Sequence, residues 1–155
     1  MKKIVVVCTG NTCRSPMAAG WLTAHLAGKG WQAESAGVAA REGGAAAPEA
    51  VEVMQEMEVD ISTHRARMLS RKLVEEADLI LAMTEGHLRV INQRFPEAKE
   101  KVQLLNSFGP GPAADVADPF GLSADAYRHT RDELVQALGD FLLHLAERGG
   151  LKREE

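Results

Sequence analysis

Cysteine is scarce in this chain of 155 residues. Two occur, at 8 and 13, too few for a disulfide framework or a cysteine-rich zinc site, so no metal and no cofactor are expected and a reducing compartment is the simplest setting. Runs of Lys and Arg that could track a nucleic-acid backbone are missing, and the formal charge of −4 disfavours such a partner. Long apolar runs are missing too. The first, Ile4 to Val7, is far too short for the core of a secretory leader or for a membrane span. These absences point to a cytoplasmic protein with neither nucleic acid nor membrane as partner. No Gly-Lys-Ser/Thr follows a glycine-containing loop and no dinucleotide fingerprint occurs, which argues against a nucleotide-binding module. Internal repeats are absent, and an Ala-rich patch ending at Ala47 is the sole biased stretch.

What remains has an ordinary globular composition, 45% hydrophobic and 26% charged, and the length suits one compact domain over residues 1–155. The chain is organised around Lys2 to Leu22. Ile4 to Val7 is a β-branched run fit for a buried strand, and helix formers return from Ala18. Between them lies Cys8-Thr9-Gly10-Asn11-Thr12-Cys13-Arg14, followed by Ser15-Pro16. Ser at a helix start accepts first-turn amide bonds and Pro needs no donor there, so the pair is expected to cap the helix. Amides of the loop and first turn, Thr9 through Arg14, then suit an anion. Cys8 opens that cradle and Arg14 closes it. Positive potential there favours the thiolate of Cys8, and the Arg14 fork would grip a phosphate in a way a lysine could not.

Farther along, helices are expected over Pro16–Ala27, Pro48–Met57, Ser70–Glu76, 84–94 and Ala124–Glu147. Strands are expected over Trp31–Ser35, Ala77–Ala82 and Lys101–Leu105. Val51, Met54 and Met57 form the apolar face of the second helix, and Leu134, Leu138, Phe141, Leu142 and Leu145 that of the last. His64-Arg65-Ala66-Arg67 reads as polar and exposed. The stretch from Phe108 to Gly121 holds too many Gly and Pro for a regular element, so it is expected to be a functional loop. Strands alternating with helices give an α/β fold with a parallel sheet covered on both faces. The functional crevice of such sheets lies beyond the carboxyl ends of the strands, where Cys8 sits.

A strand, Cys8, five residues, Arg14 and a helix resemble the active loop of cysteine-dependent phosphatases. With Gly10, Asn11, Cys13, Ser15-Pro16, Ser35-Ala36-Gly37, His64-Arg65-Ala66 and Asp118-Pro119-Phe120, nearly the whole chain resembles the low-molecular-weight protein phosphatases. The resemblance implies a single domain of three layers with a four-stranded sheet in order 2-1-3-4. It also implies a phosphocysteine intermediate on Cys8 and transition-state binding by Arg14. Asp118 would be the general acid; spacing alone leaves Asp115 as runner-up, and the Asp-Pro-aromatic motif decides between them. Asn11 would be pinned by Ser15, Ser35 and His64, with Ser15 also donating to the sulfur. Gly10 and Asn11 are expected to take left-handed backbone. Cys13 is either a small packing residue or the partner of Cys8 in a reversible, protective disulfide.

Phe120 would form a wall of the slot where tyrosine-specific relatives commonly carry Tyr. Thr12 departs further. Many phosphotyrosine-hydrolysing members have Ile or Leu there, whereas the bacterial protein-arginine phosphatases resemble this chain in Thr12 and in Asp118-Pro119-Phe120-Gly121. A hydroxyl there could narrow the slot against a bulky ring. In phosphoarginine, Asp118 could pair with the guanidinium and Phe120 could stack on it. The expected protein is a monomer that hydrolyses phosphorylated proteins or peptides, phosphoarginine first and phosphotyrosine as the alternative. Arsenate reduction lacks relay thiols beyond Cys8 and Cys13. A non-enzymatic phosphocysteine carrier would need neither Arg14 nor an acid on a loop. No role is fixed for Arg41, Glu42 or Arg67.

Overall fold

The computed structural model describes residues 1–111 and 114–151. Pro112 and Ala113, part of the expected loop from Phe108 to Gly121, and the last four residues of the expected domain lie outside the described residues. Four strands, β1 (Lys2–Cys8), β2 (Trp31–Gly37), β3 (Leu79–Ala82) and β4 (Val102–Leu104), form one parallel sheet in the order β2-β1-β3-β4. Among the described residues, five α-helices cover it: α1 (Arg14–Leu26), α2 (Pro48–Gln55), α3 (Arg71–Glu76), α4 (Glu85–Arg94) and α5 (Ala124–Glu147).

Why the central strand is β1 follows from its side chains. Ile4 through Val7 are fully buried, and alternate residues enter different cores: Ile4, Val6 and Cys8 join α1, α2 and α5, while Val5 and Val7 join α3 and α4. A strand with polar residues on either face could not occupy that position without leaving buried groups unpaired. The first core closes on Phe141, Tyr127, Met17 and Leu22; the second on Leu73, Ile80, Ile91 and Val102. Ser70, Thr84 and Ser123 cap α3, α4 and α5 by accepting the amides of Leu73, His87 and Ala126. Glu56 ties α2 to α5 through Arg128 and Arg131, which hold its carboxyl down to about 2.

Three local expectations change. The strands β1 and β2 run on to Cys8 and Gly37, because each residue of one pairs with the other in register from Lys2↔Trp31 to Cys8↔Gly37. The second helix buries Ala50, Val53 and Met54, with Val51 packed at the edge of the core, and leaves Met57 exposed beyond its last turn. His64 to Arg67 is not a free polar segment: Arg65 bridges Ala45, Ala66 is buried, and the Arg67 carbonyl accepts the Gly37 amide.

Candidate active site

Backbone bonding defines the loop between β1 and α1. Its carbonyls are tied outward: Cys8 accepts the Val38 amide, Thr9 that of Ala39, Thr12 that of Ala47, and Cys13 that of Met17. The Asn11 carbonyl accepts from His64 Nε2 at 2.7 Å, which places the proton of that ring on Nε2. By contrast, the amides of Thr9 through Arg14 donate to no carbonyl or side chain among the described residues. Carbonyls engaged and amides free is the pattern of an anion cradle.

Asn11 carries the strain of the turn. Its φ of 57° is left-handed, tolerable for Asn. Its side chain repays that cost with three bonds, donating from Nδ2 to Ser15 Oγ (2.8 Å) and Ser35 Oγ (2.9 Å) and accepting the Arg67 amide at Oδ1 (3.0 Å). Gly10, expected to share that conformation, does not have a positive φ. The glycine the loop does require is Gly37. A Cβ there would sit 2.4 Å from the Thr9 carbonyl oxygen and 3.1 Å from the Asn11 nitrogen, so only hydrogen lets β2 approach the loop.

Ser15 is not the helix cap. The helix starts at Arg14, with Cys13 in the capping position and no side-chain cap bond, because Ser15 lies within the first turn and its hydroxyl is used elsewhere. Ser15 Oγ lies 2.9 Å from Cys8 Sγ. Since that oxygen already accepts from Asn11, its own hydrogen is available to the sulfur.

Arg14 is buried, its side chain 6% exposed, and is held by the distant loop before α5: Nη1 donates to the Val116 carbonyl at 3.1 Å, and Nη2 lies 3.5 Å from Asp118 Oδ2. Asp118 is 54% exposed, and its Oδ1 accepts the Phe120 amide. Asp115, the other candidate acid, instead accepts the amide of Glu85 at the start of α4. Cys8, Thr9, Gly10, Thr12, Cys13, Arg14, Asp118 and Phe120 together line one cavity of about 200 Å³. Buried Ser35 and half-buried His64 stand behind the loop, and burial pushes the His64 pKa down. Phe120 projects from the mouth, 71% exposed.

Three neighbours went unassigned in the sequence. His87 Nε2 lies 2.8 Å from Thr9 Oγ1; burial, and then the Arg14 charge, pushes its pKa down to about 4. Its place just beyond the carboxyl end of β3 was the available signal. Tyr127 Oη lies 3.1 Å from Cys13 Sγ, and burial raises both groups above their usual ranges. Arg67 fixes Asn11 through its backbone while its side chain binds the Ser35 carbonyl and Glu34. No signal in the sequence marked the last two.

A cysteine at the end of a central parallel strand, an amide-lined loop, an arginine at the following helix start and a carboxylate across the cavity define a cysteine-dependent phosphatase. The chain belongs to the low molecular weight phosphotyrosine protein phosphatase family, whose model matches residues 3–152. It is 46% identical over 132 residues to a protein-arginine-phosphatase of Geobacillus stearothermophilus, covering 85% of this chain and 88% of the relative. It is 41% identical over 136 residues to a probable low molecular weight protein-tyrosine-phosphatase, EpsP, of Ralstonia nicotianae, covering 88% and 90%. The arginine phosphatase YwlE, solved as a cysteine-to-serine variant with a phosphorylated active-site serine, superposes with a TM-score of 0.86 at 41% identity, covering 93% of this chain and 95% of that one.

Proposed function

We propose that this phosphatase hydrolyses phosphoarginine in proteins. Cys8 Sγ attacks phosphorus, forming an S–P bond as the P–N bond breaks, and the Asp118 carboxyl gives its proton to the departing guanidine nitrogen. Water then adds to phosphorus, passing a proton to the Asp118 carboxylate, while the S–P bond breaks and Ser15 donates to the leaving thiolate. Inorganic phosphate and the unmodified arginine are the products. The free amides from Thr9 to Arg14 and the Arg14 fork carry the charge on the three equatorial oxygens.

The observation that carries the reading is the cradle itself, with engaged carbonyls, free amides and Cys8 and Arg14 in one cavity. Preference for arginine rests on Thr12, which lines the cavity with Asp118 and Phe120, and on the similarity to the Geobacillus arginine phosphatase. The exposed Phe120 ring would stack on a planar guanidinium, yet it would serve an aryl phosphate as well, so phosphotyrosine is the second reading. Phosphate release from matched phosphoarginine and phosphotyrosine peptides at one pH, with Cys8→Ser as blank, decides between them. A higher kcat/KM on phosphotyrosine would overturn the choice.

A further inference from the structure

Beside the reaction cavity lies a second, larger recess of about 530 Å³, lined by Ala45, Ala47 and Glu49 on one side and by Phe120 and Leu122 on the other. Thr12 and Phe120 line both, so the two adjoin. Both walls are held: the Ala47 amide donates to the Thr12 carbonyl at 2.9 Å, fixing one wall to the phosphate loop, and the Leu122 amide donates to the Pro119 carbonyl at 2.9 Å. Leu122 is 57% exposed and adjoins exposed Phe120, so two large apolar side chains face solvent beside the mouth. The Glu49 carboxylate, in the first turn of α2, makes no hydrogen bond or ion pair among the described residues.

We infer that this recess binds the segment of the substrate protein flanking the phosphorylated residue, selecting an apolar side chain next to it and a basic one within reach of Glu49. This rests on the reading of the site as a protein phosphatase. A phosphorylated side chain with its phosphate in the Cys8 cavity that leaves past Thr12 and Phe120, the two residues common to both linings, brings the chain that carries it over the recess. Exposed Leu122 and the alanines offer apolar contact, and an unpaired carboxylate attracts a cation. Stabilising the start of α2 accounts for an acidic residue near position 49, but not for its position in a recess shared with the reaction site.

The test uses two series of peptides, centred on phosphoarginine and on phosphotyrosine, each with Leu and Lys, Gly and Gly, or Asp and Asp as flanks. Wild type, Leu122→Ser and Glu49→Gln are compared on every peptide and on p-nitrophenyl phosphate. Wild-type kcat/KM should favour the Leu-Lys flank over Gly-Gly by about tenfold. Leu122→Ser should remove most of that gain, and Glu49→Gln about threefold of it. Rates on p-nitrophenyl phosphate should stay level in all three proteins. Equal kcat/KM across the flanks, or an equal loss on p-nitrophenyl phosphate in Leu122→Ser, would overturn the inference. So would a concentration-dependent dimer lost in that variant with the flank preference intact, since a second copy would then occupy the recess. If phosphotyrosine proves the better centre, the flank preference is still read in that series.

Discussion

Arg14 and Asp118, 104 positions apart in sequence order, meet with Nη2 3.5 Å from Oδ2, and the same loop holds Nη1 through the Val116 carbonyl. The anion-binding fork and the proposed acid are thus mechanically one unit. Arg14 is positioned by the loop that carries the proposed acid. Replacing Asp118 by Asn keeps the shape but removes the proton and the ion pair. Turnover of phosphoarginine should fall by about 10²–10⁴-fold, while activated aryl phosphates lose much less; a matched loss on both would count against Asp118 as acid.

Cys8→Ser should abolish turnover and leave a folded protein that still binds phosphate or vanadate, because the cradle is backbone and Arg14 rather than sulfur. Isothermal titration with phosphate and an activity assay check both halves together. Retained activity would end the assignment of the nucleophile.

The loop should be fragile at Asn11. Asn11→Ala removes three side-chain bonds and leaves a left-handed φ on a residue that resists it, so urea unfolding should show a loss of about 3–5 kcal/mol. Asn11→Gly relieves the backbone strain and should lose about 1 kcal/mol less. A larger loss for Gly than for Ala would contradict the strain account. Gly37→Ala should also cut activity, although Gly37 does not line the cavity, because its new methyl would press on the Thr9 carbonyl.

Acid should weaken the fold through His87. Its folded pKa of about 4 lies below the ordinary 6.5, so the native state prefers the neutral ring. Above pH 6.5 both states are neutral and stability is complete. As pH falls from 6.5 toward 4 the unfolded chain binds a proton that the folded one refuses, and stability drops. His64, also pushed down by burial, adds to the same slope. Thermal melts over this window should be less steep in pH for His87→Gln than for the parent; identical slopes would show that the ring takes no part.

Thr12→Ile should shift preference from phosphoarginine toward phosphotyrosine, since it exchanges the hydroxyl of a cavity-lining residue for an aliphatic chain. The measurement is the ratio of kcat/KM on the two peptides, and an unchanged ratio would remove Thr12 from the basis of selectivity.

The chain's local chemistry was open to reading because its parts are neighbours in sequence. Strand, Cys8, loop, Arg14 and helix occupy one short stretch, and hydrophobic periodicity is enough to place them. The alternation of strands and helices likewise implied a parallel sheet, while its order, now observed, had come from family resemblance rather than from pattern. Tertiary structure decided everything that depends on distant contacts. Ser35 and His64, which family resemblance implies, and Arg67, to which it gives no role, converge on Asn11 from 24, 53 and 56 positions away, Val116 aims Arg14, Gly37 makes room for Thr9, and His87 reaches the loop from α4. It also took Ser15 out of the capping position, leaving it the contact with sulfur that family resemblance implies, and assigned Asp115 to the α4 amide. Periodicity reports which face of an element is buried, but hydrogen bonds between elements depend on the sheet register and loop paths, which exist only once the chain has packed.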